Sequence, residues 1–140
     1  MFQTGIYLKK IQLALERGRN RILKKYDLTA PQMDTLVYLA MHEDSENTLS
    51  AIAEYFGVKH TSTIHVLKLL EKKGFIYREE TGSRTKQIFL TEKGQSVLEE
   101  DKKAVDYVDG VMLGGLTPEE QKELDCYLQR IYENLKQGLS

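Results

Sequence analysis

Hydroxyl and imidazole groups gather in one short stretch of this 140-residue chain. Lys59-His60-Thr61-Ser62-Thr63-Ile64-His65 holds two of the three histidines and three consecutive hydroxyl side chains, with no carboxylate among them. Such groups donate to and accept from both base edges and phosphate oxygens. The parts of a catalytic site are missing. Cys126, the single cysteine, has no histidine near it in sequence, and no glycine motif that cradles phosphates is present. One cysteine also excludes an internal disulfide and an all-cysteine zinc site. Neither enzymatic activity nor a cofactor is expected.

The charge distribution supports the same stretch. The net formal charge is -1, yet residues 58–93 carry eight basic against four acidic side chains, while residues 1–57 balance and residues 94–140 sum to -5. A basic middle between a neutral and an acidic part is the asymmetry expected when one face meets phosphates. No run approaches the ~18–20 apolar residues of a membrane span. Met1 to Leu15 intersperses Lys9, Lys10 and Gln12 among its apolar residues, so no signal-peptide core is present and a cytoplasmic chain with no membrane partner is expected.

The elements that position these residues follow from apolar spacing. Only Pro31 and Pro118 interrupt long stretches of three-to-four-residue periodicity, which predicts a mainly helical chain. A first helix is predicted over residues 2–25, with Leu8, Ile11, Leu15 and Ile22 along one side. Thr29-Ala30-Pro31-Gln32 carries a hydroxyl cap, an early proline and Gln at the capping-box position, and Met33, Leu36, Val37 and Ala40 should face inward after it. A short helix capped by Ser50 should end at Gly57, followed by a helix from His60 to Lys73. Phe75–Arg78 and Lys86–Leu90 read as two strands around a hairpin, Glu79 to Thr85. Thr91 and Thr117 should cap the last two helices, the fifth running out at Gly110 or at Gly114-Gly115. Helix, glycine turn, helix and hairpin make a winged helix-turn-helix, mainly α with a small β wing. The glycine turn angles its second helix toward a major groove. The hairpin tip, Gly82-Ser83-Arg84-Thr85-Lys86, is small and basic and suits a minor groove.

Five segments, in order, resemble the MarR family of multiple-antibiotic-resistance regulators. They are Tyr26 to Gln32, Leu49 to Val58, Leu70 to Ile76, Arg84 to Gly94, and Leu116 to Glu120. The resemblance runs over nearly the whole chain. It implies one domain of six helices plus a β-hairpin, with dimerisation helices at 1–28 and 92–140 and a DNA-binding lobe at 29–91. The implied activity is sequence-specific binding of double-stranded DNA by a homodimeric repressor at a palindromic operator. The residues expected at DNA are Ser50, Lys59, His60, Thr61, Ser62, Thr63, His65, Lys68, Arg84 and Lys86. Gly82 departs from the family, which often has an aspartate two residues before the wing arginine, so Glu79 and Glu80 are the alternative braces.

The family's dimer is joined by its first, fifth and sixth helices. Independently, Ile6, Ile11 and Leu15, with Leu124, Leu128, Ile131 and Leu135, form apolar rows that one small domain cannot easily cover. The family also implies a small aromatic or phenolic effector, for which Met33, Tyr38, Met41 and His42 are the candidate lining. Three alternatives are weighed beside this reading. A winged helix can dock a protein and have no operator. A zinc-sensing member would use His42 with Glu43, Asp44 and Glu46, though the fifth helix has no histidine and zinc wants three or four ligands. A redox-sensing member would use Cys126, which is expected instead to be a buried structural thiol.

Overall fold

A computed structural model describes residues 2–80, 82 and 85–139. The order of elements is α1 (Phe2–Lys25), α2 (Ala30–Met41), α3 (Leu49–Phe56), α4 (His60–Lys72), β1 (Ile76–Glu80), β2 (Lys86–Leu90), α5 (Glu92–Met112) and α6 (Pro118–Gly138). This is the expected set of six helices and a hairpin. None of the helices among the described residues is long and apolar enough to cross a membrane. The chain divides into two compact units, Met1–Ala104 and Val105–Ser140.

The first unit holds the core. Met33 and Leu36 of α2, Ile52 of α3, Leu67 and Leu70 of α4, Phe75, Ile76, Ile88 of β2 and Val97 of α5 are all buried. α2 begins where the capping box places it: Gln32 N–H donates to Thr29 Oγ1, and the Thr29 N–H donates to Gln32 Oε1. Its inward row is Met33, Leu36 and Leu39, whereas Ala40 is exposed. α3 corrects a second expectation. Its cap is Thr48, whose hydroxyl accepts from Ala51 N–H, so Ser50 lies inside the helix on its exposed side.

β1 and β2 pair antiparallel, with Tyr77 opposite Phe89 and Glu80 opposite Lys86. β1 starts one residue later than predicted and includes Glu79 and Glu80. Phe75 remains outside the ladder because its N–H donates to Leu70 O and its carbonyl accepts from Thr91 N–H. Thr91 ties α5 to this corner: its hydroxyl accepts from Gly94 N–H and donates to Gly74 O. Gly94 is buried against the same corner, and a Cβ there would overlap the Phe75 carbonyl oxygen. Two ionic groups fasten helix ends in this unit. Lys25 and the Tyr26 hydroxyl both donate to Glu100 of α5, and Arg19 of α1 pairs with Asp34 of α2.

The second unit contains the end of α5, a turn and α6. Gly110 stays within α5, and the helix ends beyond it at Met112, before Gly115 takes a left-handed φ of 85°. Thr117 and Glu120 close a second capping box at the start of α6. No residue of α6 is buried, Leu128, Ile131 and Leu135 included. Cys126 is exposed too, which overturns the expectation of a buried thiol.

Candidate nucleic-acid interface

Gly57 terminates α3 in the left-handed region (φ 65°, ψ 33°), a conformation that costs a Cβ-bearing residue about 1 kcal/mol or more. Its N–H returns to the carbonyls of Ala53 and Glu54, and Val58 N–H bonds Ala53 O. The chain therefore reverses within two residues, and α4 starts at His60 with no acidic side chain in its first turn.

α4 has two distinct faces. Thr63, Leu67 and Leu70 are buried, and these three hold the helix against the core. His60, Thr61, Ser62, His65 and Lys68 are exposed. Thr61, His65 and Lys68 recur at four and three residues, so they share one stripe of the helix. Thr63 is the exception among the expected DNA-facing residues. It is 4% exposed, and its hydroxyl donates back to the Lys59 carbonyl at 3.3 Å. A threonine satisfied by its own helix leaves no free group for a ligand.

The basic residues of 58–93 also divide in two. Lys73 donates to Asp27 O and lies 3.7 Å from the Asp27 carboxylate, where it secures the left-handed Asp27 (φ 53°) that follows α1. Lys93 donates to Lys73 O at 2.7 Å with its ammonium over the Phe75 ring. Arg78 is drawn toward Glu71 (3.7 Å), while its Nε and Nη2 are buried without a hydrogen-bond acceptor among the described residues. These three cations brace the lobe. Lys59, Lys68, Lys72 and Lys86 are exposed and have no ion pair among the described residues. Arg84 lies outside the described residues, and so do Thr81 and Ser83 of the hairpin tip; Gly82 has a φ of 65°. Sequence spacing had no means of separating bracing cations from free ones, because their partners lie up to 46 residues away.

The expected effector residues are partly brought together. Tyr38 and Met41 line a small cavity of about 160 Å³ with Asp34, Val37, Tyr55 and Phe56. His42 stacks on Tyr38 with ring centroids 4.1 Å apart. Met33 is fully buried in the core and lines no part of this cavity. Tyr55 and Phe56 were missed; their only sequence signal is aromatic character beside Gly57. Among the described residues, no group of three or more histidine, cysteine or acidic side chains could hold a metal ion.

Three comparisons bear on this geometry. Residues 26–84 match the model of the MarR family. The HTH-type transcriptional regulator YybA of Bacillus subtilis is 30% identical over 128 residues, covering 90% of this chain and 84% of the relative. Among solved structures, the Staphylococcus aureus MepR–DNA complex superposes with a TM-score of 0.76 at 25% identity, covering 94% of this chain and 98% of that one. MepR bound to ethidium bromide gives a TM-score of 0.74 at 25% identity, covering 94% and 95%. The fold is thus shared with these proteins, and the chain belongs to the MarR family of winged-helix transcriptional regulators.

Proposed function

We propose that this regulator binds double-stranded operator DNA as a homodimer, with α4 in the major groove and the hairpin beside a minor groove. The observation that carries the reading is the carboxylate-free outer face of the N-terminal half of α4, with the helix seated on Thr63, Leu67 and Leu70 and flanked by lysines that have no ion pair among the described residues. A rigid seat lets His60, Thr61, Ser62 and His65 meet base edges while Lys59, Lys68, Lys72 and Lys86 meet phosphates. Ser50, exposed on α3, is a further backbone contact in this scheme, and Arg84 takes the minor groove. The MepR–DNA complex supports the choice of ligand.

The apolar rows left open in each unit support the dimer: Ile6, Ile11 and Leu15 on α1, and Leu128, Ile131 and Leu135 on α6, with Leu124 half-buried. Two copies place two recognition helices about 34–36 Å apart, which matches a palindromic site. Repression at that site, release by a small aromatic effector near Tyr38, Met41 and His42, and a cytoplasmic place of work complete the reading. The ethidium complex of MepR supports the effector.

A salt titration on duplex DNA, with sedimentation of the free protein, tests the whole. With roughly 6–10 phosphates contacted, affinity should fall by about 10³–10⁵ between 50 and 200 mM salt. A flat titration would favour a protein-docking winged helix instead.

A further inference from the structure

α4 passes into the hairpin through a tight corner, Lys73 to Phe75, and one ion pair spans it. Glu71 is the only acidic residue of α4, and it follows Lys68 by three, at the C-terminal end of the outer stripe. Arg78 lies on β1, opposite Ile88 and two residues before the strand ends. Its Nε is 3.7 Å from Glu71 Oε2, with the two side chains 21 and 47% exposed. The Arg78 Nε and Nη2 are closed to solvent and have no hydrogen-bond acceptor among the described residues. A guanidinium cannot shed its proton, so a charge held this way depends on the carboxylate beside it. The braces suggested by the sequence do not take that place. Glu79 and Glu80 are exposed and have no ion pair among the described residues, and Gly82 has no side chain to offer.

We propose that Glu71 and Arg78 are positioning residues for DNA recognition, their pairing fixing the angle at which the hairpin leaves α4. This role rests on the operator-binding reading above and explains why a reading helix carries a carboxylate. A free Glu71 beside phosphates would only repel them. Paired with Arg78, its charge is balanced inside the corner and ties the hairpin to the helix that bears His65 and Lys68.

The test turns on a sign. If Glu71 acted on DNA through its charge alone, Glu71→Gln would tighten binding to every sequence. As a positioning residue it should do the reverse: affinity for the best site falls about two- to fivefold. Binding-site selection should then lose discrimination at the flanks of each half-site, where the hairpin lies, and keep it at the centre. Arg78→Gln should give the same profile. The double variant Glu71→Gln/Arg78→Gln should lose no more than either single one, since two residues acting as a unit are not additive. Amide hydrogen exchange on the free protein checks the geometry without DNA. The amides of β1 and β2 should exchange faster in both single variants, while those of Leu67 and Leu70 keep their wild-type rates and show the core intact. Tighter binding by Glu71→Gln, centre and flanks weakened alike, additive losses in the double variant, or unchanged hairpin exchange would each overturn the assignment. A wild type that binds no duplex DNA would overturn the operator reading itself, and this role with it, whatever the exchange rates show.

Discussion

α4 and α6 carry apolar residues at similar helical spacing and use them in opposite ways. In α4, Leu67 and Leu70 are fully buried beside Thr63, and the polar residues are left outside. In α6, Leu128, Ile131 and Leu135 are 42, 37 and 54% exposed, accompanied by exposed Tyr127 and Tyr132. The first arrangement seats the proposed reading surface on the core without help from another chain. The second leaves apolar area in water, at roughly 25 cal/mol per Å², until something covers it. One periodicity thus marks two different jobs, and burial alone tells them apart.

The largest expected effect breaks the α6 side of this comparison. Leu128→Asp or Ile131→Asp would place an unpaired carboxylate in the proposed dimer interface, twice over by symmetry, at a cost of several kcal/mol per site. Sedimentation should show a dimer for the wild type and a monomer for either variant. A wild type that sediments as a monomer at micromolar concentration would end the dimer reading.

On the α4 side, Leu67→Ala should lower unfolding stability by about 2–5 kcal/mol, since a fully buried leucine leaves a cavity. Denaturant midpoints compared at several protein concentrations check both halves of the contrast. The Leu67 loss should persist at every concentration, while the α6 variants should lose stability that depends on concentration.

A smaller effect sharpens the division on α4 itself. His65→Ala should cost about 1–3 kcal/mol and change base preference within each half-site. Lys68→Ala should weaken all sequences alike and reduce the salt slope by about 1 per protomer. Binding-site selection at one salt concentration separates the two, and identical profiles would mean that both touch only phosphates.

The smallest effect is a pH dependence in the first unit. Burial, with a further push from Asp34 against the pull of Arg19, raises the Asp101 carboxyl above its ordinary 3.8. The folded state then binds that proton more tightly than the unfolded state, so ionised Asp101 subtracts stability as pH rises through its folded pKa. Asp101→Asn should therefore raise the melting midpoint at neutral pH and leave it unchanged in acid. Glu100 has the opposite sign. Hydrogen bonds from Lys25 and Tyr26 hold it below its ordinary 4.5, so its contribution is present at neutral pH and fades as pH falls through the lowered value. Melts of Glu100→Gln across the same range should show that loss already in place at pH 7.

Much of the fold was legible because its signals are local. Both capping boxes, the Gly57 turn and the β2 strand rest on residues within four positions of one another. What escaped was decided at a distance or by near-equal local choices. Thr48 and Ser50 are both good caps, and only the backbone geometry selects Thr48. Thr63 looks like a reading residue until its back-bond to Lys59 and its burial are seen. Lys73, Lys93 and Arg78 count as basic in any sum, yet each is committed to the lobe by partners invisible in the local pattern. Cys126 is exposed on a helix that buries none of its residues, so the apolar character around it gave the wrong environment.

Gly94 has a mechanical consequence. Where most elements meet through side chains that can change rotamer and absorb a shift, the first turn of α5 meets the Phe75 carbonyl with only a hydrogen between them. The Thr91 hydroxyl clamps the same corner from two sides. Such a joint has no slack. A rotation of the α5 first turn carries the root of β1 with it, so the hairpin moves as a lever rigidly keyed to that helix rather than as a flap on a hinge.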